Sequence, residues 1–202
     1  MGWVPSYAQG MMPTVAGDVE PAGASSHPWD VPTELVGAST VAQTLDLHVR
    51  YGEQVVRAGL VGPGYATGNG RLVTRQAVEA LARRPARGAA DLPPALVLRA
   101  GPPRWTGDHW AGIHSAMPDA AVAECALRWW AVATPSRLTG HLVVVAVAGF
   151  AVWVGRVQGH VRAAGRVGLV AARADHRDAD AEQYYTSRLK LPRGAVTVRV
   201  GL

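Results

Sequence analysis

One cysteine, one lysine and no long hydrophobic run are present in the 202 residues. Cys125 has no second thiol to pair with, which excludes an intrachain disulfide and a multi-cysteine zinc site and leaves no requirement for an oxidising compartment. Lys190 stands against nineteen arginines. With abundant Ala, Val and Gly, that usage points to a GC-rich bacterial or phage genome. The longest apolar stretch, "LVVVAVAGFAVWV" from Leu142 to Val154, has thirteen residues, whereas a spanning helix needs roughly 20. The chain also lacks a basic segment leading into an apolar one near Met1, so it reads as cytoplasmic, with no secretory signal and no membrane partner. The glycine spacings fit neither GxGxxG nor GxxxxGK[ST], and HExxH and GxSxG are missing too, which removes the common nucleotide-loop, zinc-protease and nucleophile-elbow readings. No cofactor is expected, and the chain reads as a non-enzyme.

What the sequence does have is positive charge. A net charge of +5 and a pI near 10 favour an acidic partner, nucleic acid before an anionic membrane. Residues 1 to 37 hold four acids and no Lys or Arg. Residues 38 to 88 hold seven bases against three acids, and residues 89 to 202 hold thirteen bases against eight acids. An apolar content of 49% with 17% charged residues suits a folded chain.

Residues 1–34 carry Pro5, Pro13, Pro21, Pro28 and Pro32 among Gly, Ala and Ser, and read as a flexible acidic tail. A helical pattern runs from Leu35 to Arg84 until "PARGAADLPP" breaks it, which places one domain at 35–86, a linker at 87–94 and a second domain at 95–202. In the second domain "ALVLRA" reads as a strand and "PDAAVAECALRWWAV" as a helix with Pro118 in its first turn. The apolar run reads as two buried strands meeting at Gly149, with further turns at Gly159 and Gly165. "DADAEQYYTSRL" looks helical and "AVTVRV" closes the chain as a strand.

The stretch from His48 to Arg84, "HVRYGEQVVRAGLVGPGYATGNGRLVTRQAVEALARR", is the most informative. Before it, Thr40 and Gln43 make a capping-box pattern over a short helix. A second helix from Val49 to about Ala58 then stops at Gly59, a residue suited to the left-handed cap position. Arg50, Gln54 and Arg57 stack on one of its faces, and these side chains can bind guanine or adenine edges in a major groove. Tyr51 lies beside them, and Glu53 can pair with Arg57 or accept from cytosine. Asn69-Gly70 marks a tight turn between strand-like arms. Arg71 beside that turn and Arg75 just beyond it suit backbone phosphate, and Thr74 can cap a third helix.

Together, "TVAQTLDLHVRYGEQVVRAGLVGP" and "GNGRLVTRQAVEAL" resemble the MerR and excisionase-like winged helix-turn-helix over about residues 38–84. Val49-Arg50, Gly59-Leu60, Arg71 and Thr74 match the start and end of its recognition helix, its wing and its last helix. Where that family has an aromatic and basic centre in the recognition helix, this chain has Gly52, Glu53, Gln54 and Val55. The resemblance implies sequence-specific binding of double-stranded DNA by a transcriptional regulator or excisionase-like factor, with a homodimer as a further partner state.

In the second half, Trp105, Trp110, Trp129, Trp130 and Trp153 are core residues or base-stacking platforms, with Trp105, Trp110 and Trp153 the named stacking candidates. "HLVVVAVAGFAVWVGRVQG" is similar to the barrel hairpin of PUA-like nucleic-acid modules of the ASCH and EVE types, which implies an alternative in which this half binds or processes nucleic acid. A less favoured alternative is a metal-dependent enzyme using Asp108, His109, His114 and Asp119. Asp178, Asp180 and Glu182 lack the glycine and distal Glu of a calcium loop and read as a helix N-terminal acidic cluster. The expected fold class is therefore α+β: an N-terminal winged helix-turn-helix, then a β-rich, barrel-like C-terminal domain with one or two helices.

Overall fold

The computed structural model describes residues 34–202 except 69, 176 and 193. The expected tail and Asn69 of the expected turn lie outside the described residues. The chain opens with β1 (Leu35–Val36), α1 (Ala38–Thr44), α2 (Val49–Arg57), β2 (Tyr65–Thr67), β3 (Gly70–Thr74) and α3 (Arg75–Ala82). Strands β1 and β2 flank β3, both antiparallel to it. Gly37 occupies the N-cap position of α1 with no side-chain cap. Thr40 and Gln43 fall inside that helix, so the expected capping box does not form. The other expected stops and starts are present. Gly59 takes φ 71° just past the end of α2, and Thr74 Oγ1 accepts the Ala77 N–H at 3.3 Å at the start of α3.

Gly52 explains why α1 and α2 lie so close. A Cβ there would come within 2.6 Å of the Ala42 Cβ and collide with the Ala38 carbonyl oxygen, so only glycine permits the approach. The apolar positions of this block, among them Val41, Leu45, Val55, Val73 and Leu81, fill one core, and Phe150 from the second half completes it.

The second half contributes β4 (Ala86–Arg87), β5 (Ala95–Arg99), β6 (Arg104–Trp105), β7 (Trp110–Ala111), α4 (Asp119–Cys125), β8 (Leu142–Val147), β9 (Phe150–Ala163), β10 (Arg166–Arg173), α5 (Ala179–Tyr185), β11 (Arg188–Leu189) and β12 (Thr197–Val200). The main sheet runs β12-β5-β8-β9-β11-β4, with β10 also on β9; β6 and β7 form a separate hairpin. Alternate residues of β5 and β8 go to opposite faces. Leu96, Leu98, Val143 and Val145 pack with Val122 of α4, while Ala95, Val97, Leu142 and Val144 pack with Ala181 and Tyr184 of α5. With both faces covered, the strands read as unbroken apolar runs.

Leu142–Val154 is accordingly a hairpin. Ala148 and Gly149, at φ 52° and 87°, make the primed turn that suits strand twist. No helix among the described residues is long and apolar enough to cross a membrane. The expected barrel does not form. Closure requires each strand to be paired on both sides, but the path ends at β12, which pairs with β5, and at β4, which pairs with β11. Gly159 is not a turn, since it lies within β9 opposite Val170, next to a bulge, whereas the expected turn at Gly165 is present and includes Ala164. Helix α4 ends seven residues before Val132 because Trp130 leaves to bridge β10, exchanging backbone hydrogen bonds with Val167 at 2.8 and 2.9 Å.

The expected linker at 87–94 does not separate two modules. Strand β4 adds to the main sheet beside β11, Phe150 enters the helical core, and the Arg188 guanidinium donates to the Asp46 carbonyl at 3.2 Å. From the helical block to the last strand, the described residues pack as one unit.

Candidate nucleic-acid interface

On α2, Val55 and Val56 point into the core, which turns the opposite side of the helix outward. Arg50, Tyr51 and Arg57 are exposed and Gln54 is half-buried, with all four bordering an open cleft of about 1460 Å³. Arg57 lies 3.5 Å from Glu53 one turn earlier. Two such exposed side chains gain little from pairing, so Arg57 keeps most of its freedom.

The far side of the cleft comes from segments distant in sequence: the chain after β5, the β6–β7 hairpin, the residues after α4, the β8–β9 turn and β11. These bring Arg99, Arg104, Arg128, Arg188 and Lys190 into the same lining as Arg50 and Arg57, and Asp46 is the one acidic residue in it among the described residues. The cations fall into two groups. Arg99 donates to the Pro192 and Ala195 carbonyls, Arg188 to Asp46, and Arg128 pairs with Glu124 at 2.7 Å. Arg50, Arg104 and Lys190 are exposed and form no ion pair among the described residues. Like charges brought together across a solvent gap repel one another and attract anions.

Aromatic surface lies in the same place. Tyr51 is 44% exposed and Trp129 41%, with the Arg128 guanidinium carbon 5.7 Å from the centroid of the Trp129 ring. The cluster of tryptophans in the second half includes Trp129, but no local pattern marks the far cations, since four separate segments supply them. The general excess of arginine was the one trace.

The remaining expected DNA contacts are placed elsewhere. Arg71 is exposed on the β2–β3 hairpin, outside the cleft lining. Thr74 is engaged in capping α3. Arg75 donates to Glu34 at 2.6 Å, and that hydrogen bond holds the Glu34 carboxyl below the usual range. These two residues thus have roles within the fold.

The three tryptophans expected as stacking platforms also divide. Trp105 and Trp110 are cross-strand partners on the β6–β7 hairpin, 56% and 53% exposed, with ring centroids 5.7 Å apart in an edge-to-face arrangement. Trp153 is 1% exposed and is not a platform. Its indole N–H donates to Asp119 Oδ1 at 2.9 Å, and its ring covers Gly155, where any Cβ would collide with it.

The polar loop does not assemble a metal centre. Asp119 serves Trp153 and, at 2.8 Å, Arg173, and the Trp153 hydrogen bond leads the lowering of its pKa. Asp108 is held by His109 and Thr106 within its own turn. His114 packs instead against Gly59, where burial first and the Arg71 charge second depress its pKa. Among the described residues no group of three or more His, Cys, Asp or Glu side chains could hold a metal ion. Asp178 caps α5 and binds Arg156 at 2.7 Å. Cys125 borders the cleft, but burial raises its thiol pKa, which disfavours a reactive thiolate.

No family model matches the chain, and comparison with the curated proteins and with the solved structures likewise finds no match.

Proposed function

We propose that this protein binds nucleic acid, with the outward face of α2 contacting bases and the surrounding cations holding the phosphate backbone. The observation that carries this reading is the cleft: among the described residues seven Arg or Lys side chains and one acidic residue line it, and Arg50, Gln54 and Arg57 stand on one wall with a spacing suited to base edges. A polyanion supplies the charge that this surface lacks. The succession of α1, α2, hairpin and α3 supports the winged helix-turn-helix resemblance. Under that resemblance the protein is a regulator or excisionase-like factor that reads duplex DNA with α2.

The test is a titration of the full chain against labelled nucleic acid, duplex and single-stranded, at two ionic strengths. Binding is expected at low salt and falls steeply as salt rises, because each phosphate neutralised releases a counterion. Arg50→Ala should weaken binding and flatten the salt dependence, while Gln54→Ala should relax sequence preference at little cost in general affinity. A chain that retards no nucleic acid at low salt refutes the proposal.

A further inference from the structure

We infer that the cleft beside α2 is a site for an unpaired polynucleotide strand, with Trp129 as a base-stacking platform; this rests on the nucleic-acid reading above and names its ligand. A helix that reads a duplex must enter a groove roughly 12 Å wide and 8.5 Å deep, so it has to stand clear of its surroundings. The face of α2 that carries Arg50, Gln54 and Arg57 instead lines one open cleft together with the chain after β5 and with β11. A single strand is thin and flexible, and it presents both of the groups the cleft is built to take.

Its phosphates meet Arg50, Arg104 and Lys190, which line the cleft and are all exposed and without ion pairs among the described residues. Its bases meet Trp129, which is well exposed and backed by Arg128, and Tyr51 of α2, which lines the same cleft. Positive groups that track a backbone, together with aromatic faces for successive bases, are what strand binding requires. Such binding is sequence-tolerant because every base has a π-face. Gln54 and the arginines of α2 add hydrogen bonds to base edges that pairing would otherwise occupy.

The inference is tested by fluorescence anisotropy on the full chain with a labelled oligothymidylate, the matching oligouridylate, a blunt duplex of equal length, and heparin as competitor. One of the two single strands should bind at least about tenfold tighter than the duplex, and comparison of the two distinguishes deoxyribose from ribose strands. Trp129→Ala should weaken strand binding by roughly tenfold, the order expected for loss of one stacked base, and Trp129→Phe should restore most of it. Should Trp129→Ala prove unstable, Arg104→Gln with Lys190→Gln alters exposed side chains alone and is expected to weaken the strand complex severalfold.

Quenching of tryptophan emission by the unlabelled oligothymidylate in the unmodified protein is the second readout expected. Duplex binding tighter than strand binding, with Trp129→Ala neutral, overturns this inference and leaves the proposed function standing. Heparin displacing the strand at equal charge concentration, with Trp129→Ala again neutral, reduces the site to a general polyanion surface and also overturns it. Binding of neither strand nor duplex removes both proposals together.

Discussion

At the scale of single residues, two glycines decide where larger groups sit. Gly155 leaves the space over β9 that the Trp153 ring occupies, and that ring in turn fixes Asp119 at the start of α4. Gly52 allows the backbones of α1 and α2 to approach, and thereby sets the angle at which Arg50, Gln54 and Arg57 leave the core. In an exposed helix, replacing glycine by alanine stabilises by about 1 kcal/mol. Here the added methyl meets Ala42 and the Ala38 carbonyl, and overpacking of this kind typically costs about 1–3 kcal/mol. Gly52→Ala is therefore expected to lower the urea midpoint. A midpoint raised above that of the unmodified protein would show that α1 can move away without penalty.

At the scale of elements, the β8–β9 hairpin links the two halves of the chain. Its turn residues Ala148 and Gly149 border the cleft, and Phe150, the first residue of β9, is fully buried among Val41, Leu45 and Val55. Removing a buried phenylalanine ring costs about 3–5 kcal/mol. Phe150→Ala should therefore weaken the helical block, seen as lost far-UV helical signal at a denaturant concentration where the unmodified protein is intact. Unchanged helical stability would mean that the block closes its core without the hairpin.

These elements also separate what the sequence makes legible from what it does not. The hairpin was readable because Gly149 interrupts a β-branched run too short for a membrane span, and Thr74 and Gly59 were readable because caps are local chemistry. Helix α4 was overextended because its apolar spacing continues through Trp129, while the bridge to Val167 that ends it is a tertiary contact. The barrel was expected from strand pattern, but closure depends on which edges meet. Half of the cleft was legible as the face of α2. The other half depends on how five segments come together, and no periodicity encodes that.

At the scale of the whole molecule, the question is whether the two halves unfold separately or together. Separate modules joined by a linker would unfold independently, since stability follows the contacts that each loses. This chain instead buries Phe150 of β9 in the helical core, extends its main sheet with β4 and ties the Asp46 carbonyl to Arg188, so loosening either half exposes apolar surface of the other. Two optical signals report on different halves. The segment from 34 to 88 contains no tryptophan and five of the seven tryptophans fall between 105 and 153, so the emission change is weighted towards the second half, where Trp153 is buried. Far-UV helical signal is weighted the other way, because α1, α2 and α3 are seven, nine and eight residues long against seven each for α4 and α5. A two-state chain gives coincident transitions by both probes. Coincident urea curves for helical signal and tryptophan emission are expected. A helical transition completed well before the emission changes would show that the shared core contributes little, and that the α2 wall of the cleft can detach from the sheet while the sheet remains folded.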